Sequence, residues 1–94
     1  MIEQNRNIKV LMLTLKQNQL LNFIILRIEK YGVSPSYEEM CEELELKSKS
    51  GINRIVKSLE ERGYIERLEN KARAIAPKKH PNGQTYNSDV INFK

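Results

Sequence analysis

The sequence predicts a mostly α domain, three helices followed by a small two-stranded β-hairpin, and three observations carry that expectation. Apolar residues recur at helical spacing in three successive segments, each bounded by its own start or stop signal. Gly63 ends the third segment, and the residues after it switch from helical spacing to alternation. Ninety-four residues, 39% hydrophobic and 30% charged, suffice for one core but not for a core plus a catalytic domain.

The first helix is expected over residues 16–31, where Leu20, Leu21, Phe23, Ile24 and Ile28 share helical spacing and Gly32 offers a left-handed stop. Pro35 blocks continuation, and Ser36 with Glu39 three residues on forms a capping box that restarts the chain as a second helix over residues 37–44. Its inward stripe is Tyr37, Met40, Cys41 and Leu44, while Glu38, Glu39, Glu42 and Glu43 face water, the first two near its positive end. After a tight turn, Glu45-Leu46-Lys47, a third helix opens at Ser48 or Ser50 and closes at Gly63. Ile52, Ile55, Val56 and Leu59 stand at i, i+3, i+4 and i+7, so they turn inward and leave Ser50, Asn53, Arg54 and Lys57 outward. Residues 64–68 then alternate as a strand does, residues 69–72 form a turn, and residues 73–76 pair back before Pro77. The domain is thus expected over residues 13–77, with an N-terminal extension at 1–12. Residues 78–94 read as a polar tail in which only Val90, Ile91 and Phe93 can dock.

Charge is distributed unevenly over this plan. The chain carries 16 Lys/Arg against 12 Asp/Glu. Residues 1–46 hold five basic and seven acidic side chains, residues 47–79 ten and four, and residues 80–94 one and one, for net charges of −2, +6 and 0. A polycation confined to the third helix and the hairpin is the electrostatic footprint of a phosphate-backbone partner. Helix, short capped helix, turn, basic helix and hairpin is also the order of a winged helix-turn-helix, whose second motif helix enters the major groove of DNA. That groove, about 12 Å wide, admits one helix, and only residues on its outer face reach base edges. Asn53 and Arg54 are the candidate base readers, since Asn pairs bidentately with adenine and Arg with guanine; serine hydroxyls and Lys57 suit phosphates. Lys71 and Arg73 are candidate phosphate contacts from the hairpin, the wing of such a domain.

Other chemistries find less support. One cysteine, Cys41, excludes an internal disulfide, and with the single His80 it cannot complete a four-ligand zinc site. No cofactor is expected. Cys41 sits on an apolar stripe, which suits packing rather than a reactive thiol. One tail histidine and solvent-facing carboxylates do not make a nucleophile, base and orienting group, so the chain is expected not to be an enzyme. The apolar runs at 10–13 and 23–26 fall far below the ~20 residues that span a bilayer. A cytoplasmic location without membrane contact is therefore expected.

The run Leu13-Thr14 with Gln17, then Gly32-Val33-Ser34-Pro35-Ser36, Glu39, Leu44, Ser48, Leu59, Gly63 and Ile65-Glu66, resembles the LexA repressor DNA-binding domain family. The spacing is collinear from Leu13 to Ile75, about two thirds of the chain, and the Gly-x-x-Pro-Ser/Thr-x-x-Glu link is its most specific element. The resemblance implies a winged-helix fold, operator binding and a role as a transcriptional regulator that represses by occupancy. It places family recognition positions at Ser48, Ser50, Gly51, Asn53 and Arg54, and a basic wing position at Arg73. The departures are informative. Lys49-Ser50 stands where the family usually has Pro-Asn, and Asn53-Arg54 also differ, which predicts an operator other than the family's own. Glu45 replaces a common turn glycine, at a cost on the order of 1 kcal/mol if the position needs a positive φ. The self-cleaving peptidase domain of LexA-like repressors, with its Ala-Gly cleavage pair, is not expected in this chain.

Two alternatives follow from the residues. A winged helix can also serve as a protein-interaction module without DNA specificity. Ile25 and Leu26 widen the apolar surface of the first helix, to be covered either by residues 8–12 folding back or by a homodimer contact.

Overall fold

A computed structural model describes residues 13–68 and 75–86. Three helices, α1 (Leu15–Tyr31), α2 (Tyr37–Leu44) and α3 (Lys49–Glu61), precede two strands, β1 (Ile65–Arg67) and β2 (Ile75–Pro77). The three helices pack pairwise on one another, with β1 against α3 and β2 against α1. This is the mostly helical, winged helix-turn-helix architecture expected.

Both of the first two helices begin with a full capping box. Ser36 accepts from the Glu39 amide while the Glu39 side chain accepts from the Ser36 amide, as expected. Thr14 and Gln17 do the same for α1 and start it at Leu15, one residue before the expected Lys16. Gly32 ends α1 at φ 81° with its amide on Ile28 O at 2.7 Å. The third start differs: Ser48 has the extended N-cap backbone, but its side chain makes no cap hydrogen bond.

The core gathers Leu20, Leu21, Ile24, Ile25 and Ile28 of α1, Met40 and Leu44 of α2, and Ile52, Val56 and Leu59 of α3. Tyr64, Ile65, Ile75 and Tyr86 close it from the hairpin side. Tyr37, Cys41 and Ile55, expected inside, are half-buried at its margin. Gln17 ties the start of α1 to the end of α3: its Nε2 donates to Ser58 Oγ at 2.7 Å and its Oε1 accepts from Arg62 at 3.0 Å.

Several expectations need correction. β1 is shorter than the alternation over residues 64–68 suggested, and Pro77 ends β2 from inside, opposite Ile65, rather than lying beyond it; residues 69–74, the expected turn and the expected start of the second strand, lie outside the described residues. Tyr64 and Ile65 are both buried whereas Glu66, Arg67 and Leu68 are all exposed, because the chain enters the hairpin straight from the helical core. The register Ile65↔Pro77, Glu66↔Ala76, Arg67↔Ile75 is antiparallel. Ile25 is core, 6% exposed, so it is not available to a homodimer; Leu26, 62% exposed, is the part of that face left open. The polar tail is folded through residue 86. Lys79 bridges Thr85, the Tyr86 amide bonds Lys78 O at 2.9 Å, and the Tyr86 ring enters the core, with its hydroxyl on Glu29 of α1 at 3.3 Å. A tyrosine was thus the docking residue among those described, where only Val90, Ile91 and Phe93 had been expected to dock; those three, like residues 8–12, lie outside the described residues.

Candidate nucleic-acid interface

The turn that aims α3 is fixed from three sides. Glu45 occupies the left-handed region, φ 57° and ψ 43°, and Leu46 N–H closes the α2 terminus on Cys41 O at 2.9 Å. The position does require a positive φ, so the glutamate carries a strain of about 1 kcal/mol. The carbonyls that α2 leaves unpaired at its end are taken by α1: Gln19 Nε2 donates to Glu43 O at 3.0 Å and Lys16 Nζ to Leu44 O at 2.8 Å. On the other side of the turn the Cys41 thiol lies 3.6 Å from Ser48 O, a structural role for the one cysteine.

From that anchored entry, α3 buries Ile52, Val56 and Leu59 and turns Ser50, Asn53, Arg54 and Lys57 to solvent. Ser48 caps the helix by backbone, and its Oγ lies 2.9 Å from Ser50 Oγ, so two hydroxyls sit together beside the helix N-terminus. Gly51 is half-buried; a Cβ there would meet Leu46 Cδ1 at 3.4 Å, so the glycine is not forced by packing and leaves the first turn of α3 bare. Six of the eight expected site residues, Ser48, Ser50, Gly51, Asn53, Arg54 and Lys57, therefore lie along one helix. The other two, Lys71 and Arg73, fall outside the described residues.

What distinguishes Arg54 and Lys57 on the outer face of this helix is their lack of internal partners. Lys49, at its first position, pairs with Glu38 at 3.7 Å; elsewhere Lys16 holds a carbonyl, Arg27 pairs with Glu39 at 2.8 Å, Arg67 with Glu60 at 3.1 Å and Lys78 with Glu66 at 3.4 Å. Arg62 bonds Gln17, while Lys30 and Lys79 lie over tyrosine rings. Among the described residues, the cations with no hydrogen bond, ion pair or ring contact are Lys47, Arg54 and Lys57. All three belong to α3 or the turn before it. Lys47 was not singled out from the sequence, although it opens the basic segment. Asn53 is likewise unengaged, so a guanidinium and an amide stand next to each other with their donors facing outward.

Arg67 is the opposite case. Burial works against its charge, but the hydrogen bond to Glu60, the Tyr37 phenol and the Glu60 carboxylate outweigh it and hold the guanidinium above its ordinary value. It stays charged and is committed internally.

Comparison with known proteins agrees with this geometry. Residues 11–74 match the LexA DNA binding domain family. The chain is 57% identical over 70 residues to a LexA repressor of Erythrobacter litoralis, an overlap of 74% of this chain and 30% of that protein. It is 54% identical over 81 residues to the LexA repressor of Pelagibacter ubique, covering 86% of this chain and 36% of that protein. The LexA repressor of Rhodospirillum rubrum is 51% identical over 78 residues, 83% of this chain and 31% of that protein. The chain therefore spans about a third of the length of these relatives, and the family match covers the three helices and β1. With the family matched across both helices of the motif and into the hairpin, the chain belongs to the LexA DNA-binding domain family.

Proposed function

We propose that this chain binds double-stranded DNA sequence-specifically, inserts α3 into the major groove, and acts in the cytoplasm as a transcriptional repressor by occupying its site rather than by catalysis. The observation that carries this reading is that the uncommitted cations among the described residues, Lys47, Arg54 and Lys57, all lie on the helix that the fold would present to a groove or in the turn that leads into it. An ordinary solvated surface scatters such groups; here they are grouped beside Asn53. Arg54 and Asn53 read base edges, Lys57 with the Ser48 and Ser50 hydroxyls secures phosphates, and Gly51 lets the backbone approach closely. Lys71 and Arg73 add phosphate contacts from the wing. With Ile25 buried, a homodimer contact on α1 would fall to the exposed Leu26, and half-sites would then lie about one helical turn or a multiple of it apart.

The test is selection of bound duplexes from a randomised double-stranded library at near-physiological salt. A recovered motif supports the reading, and its symmetry reports one or two copies. Retention that is salt-sensitive but enriches no motif would make the chain a non-specific DNA binder. Absence of retention would favour a protein-interaction module, whose binding, unlike that of a DNA complex, should persist at high salt.

A further inference from the structure

Among the described residues the hairpin has three residue pairs, too few to hold its own orientation. Its base is anchored by burial of Ile65 and Pro77, and at the other end of the described ladder Ile75, opposite Arg67, is buried on one strand only. Its far end is held differently. Arg67, the last residue of β1, places both Nε and Nη2 3.1 Å from Glu60 Oε1 and its Nη1 3.3 Å from the Tyr37 hydroxyl. Glu60 lies in the last turn of α3 and Tyr37 opens α2, so one guanidinium joins the hairpin to both helices of the helix-turn-helix. Arg67 and Glu60 are each more than a third exposed, and ion pairs of that kind add little to stability. A charge already matched by a carboxylate is also a poor phosphate ligand. What the junction can do is set the angle between wing and reading helix.

We infer that Arg67 is a positioning residue for DNA binding: it orients the hairpin against α3 through Glu60 and Tyr37 and does not itself contact phosphate. This rests on the DNA-binding reading above. Misorienting the wing removes no phosphate-contacting cation but spoils their simultaneous fit, so affinity falls while the number of contacts that the bound state can make does not.

The full chain is titrated with its selected duplex across a salt series. Arg67→Ala is expected to weaken binding on the order of tenfold, with the log-log salt slope and the thermal midpoint unchanged. Glu60→Ala gives a sharper readout, because loss of a negative charge would on electrostatic grounds tighten DNA binding, whereas loss of the strut weakens it. The double variant is expected to be no weaker than the Arg67 variant alone. A slope shallower by about 0.9 for Arg67→Ala would identify a direct phosphate contact and overturn the inference. So would tighter binding by Glu60→Ala, or a loss of affinity that tracks a fall in thermal midpoint. If the wild-type chain retains no duplex, the DNA-binding reading fails with it; wild-type binding that Arg67→Ala leaves unaltered refutes the positioning role alone.

Discussion

Helices α1 and α3 carry similar numbers of polar and charged side chains on their outer surfaces, yet they use them in opposite ways. On α1, Lys16 and Gln19 close the end of α2, Gln17 reaches Ser58 and Arg62, Arg27 pairs with Glu39 between the Phe23 and Tyr31 rings, and Glu29 accepts from Tyr86. On α3, Asn53, Arg54 and Lys57 engage nothing among the described residues. Polarity is thus spent inward along the first helix and held outward at Asn53, Arg54 and Lys57 in the middle of the third, whose Lys49, Ser58 and Glu60 toward the ends have internal partners. Charge density alone does not separate a structural surface from a binding one; the presence or absence of an internal partner does.

This contrast makes α1 a stability element and α3 a binding element, and substitutions should divide accordingly. The largest effect is expected from Ile25→Ala, which empties a core position and should cost ~2–5 kcal/mol in a denaturant titration. Leu26→Ala, one residue on, should stay within about 0.5 kcal/mol. Equal losses at the two positions would show that α1 is covered in solution by something beyond the described fold. Arg54→Ala should do the reverse, leaving the unfolding midpoint in place while weakening the selected duplex by ~1–3 kcal/mol and relaxing preference at one base pair. If it weakens all sequences alike, Arg54 is a phosphate contact and Asn53 is left as the base reader.

A smaller gain is expected at the turn between the two helices of the motif. Glu45→Gly should raise stability by about 1 kcal/mol, since the left-handed backbone is already in place and only the side chain strains it. The smallest effect concerns Tyr86. Burial first, then the Glu29 charge and the hydrogen bond to it, raise the phenol above an ordinary tyrosine. The folded state therefore favours the protonated ring. Its contribution is fully present below the unfolded value near pH 10 and is lost as pH rises through the higher folded value. Phenolate absorbance should show one late-titrating tyrosine that Tyr86→Phe removes, while α3 binding at neutral pH is untouched.

How far these roles could be read from the sequence depended on whether they are local. The Ser36 and Glu39 capping box and the i, i+3, i+4, i+7 stripe of α3 lie within single turns, and they placed α2 and the outward face of Asn53, Arg54 and Lys57 correctly. Thr14 and Gln17 form the same box, but Gln17 also reaches Ser58 and Arg62 some forty residues away, and no spacing rule links them. Tyr86 lacked any periodic neighbour, so a polar tail was the natural reading of residues that fold back onto α1. The division of the cations was equally hidden: Arg67 and Arg54 look alike in a basic segment, and only the approach of Glu60 and Tyr37 tells them apart.

The missing side-chain cap at the start of α3 has a consequence in time rather than in energy. Amides at the third position of α1 and α2, those of Gln17 and Glu39, are closed by Thr14 and Ser36, whereas the equivalent amide of α3, at Gly51, receives no such bond because the Ser48 hydroxyl is turned toward Ser50. Hydrogen exchange with water should therefore be quick at Gly51 and slow at its two counterparts in the free protein. The helix proposed to meet DNA is the one whose leading edge is left open until a partner arrives to close it.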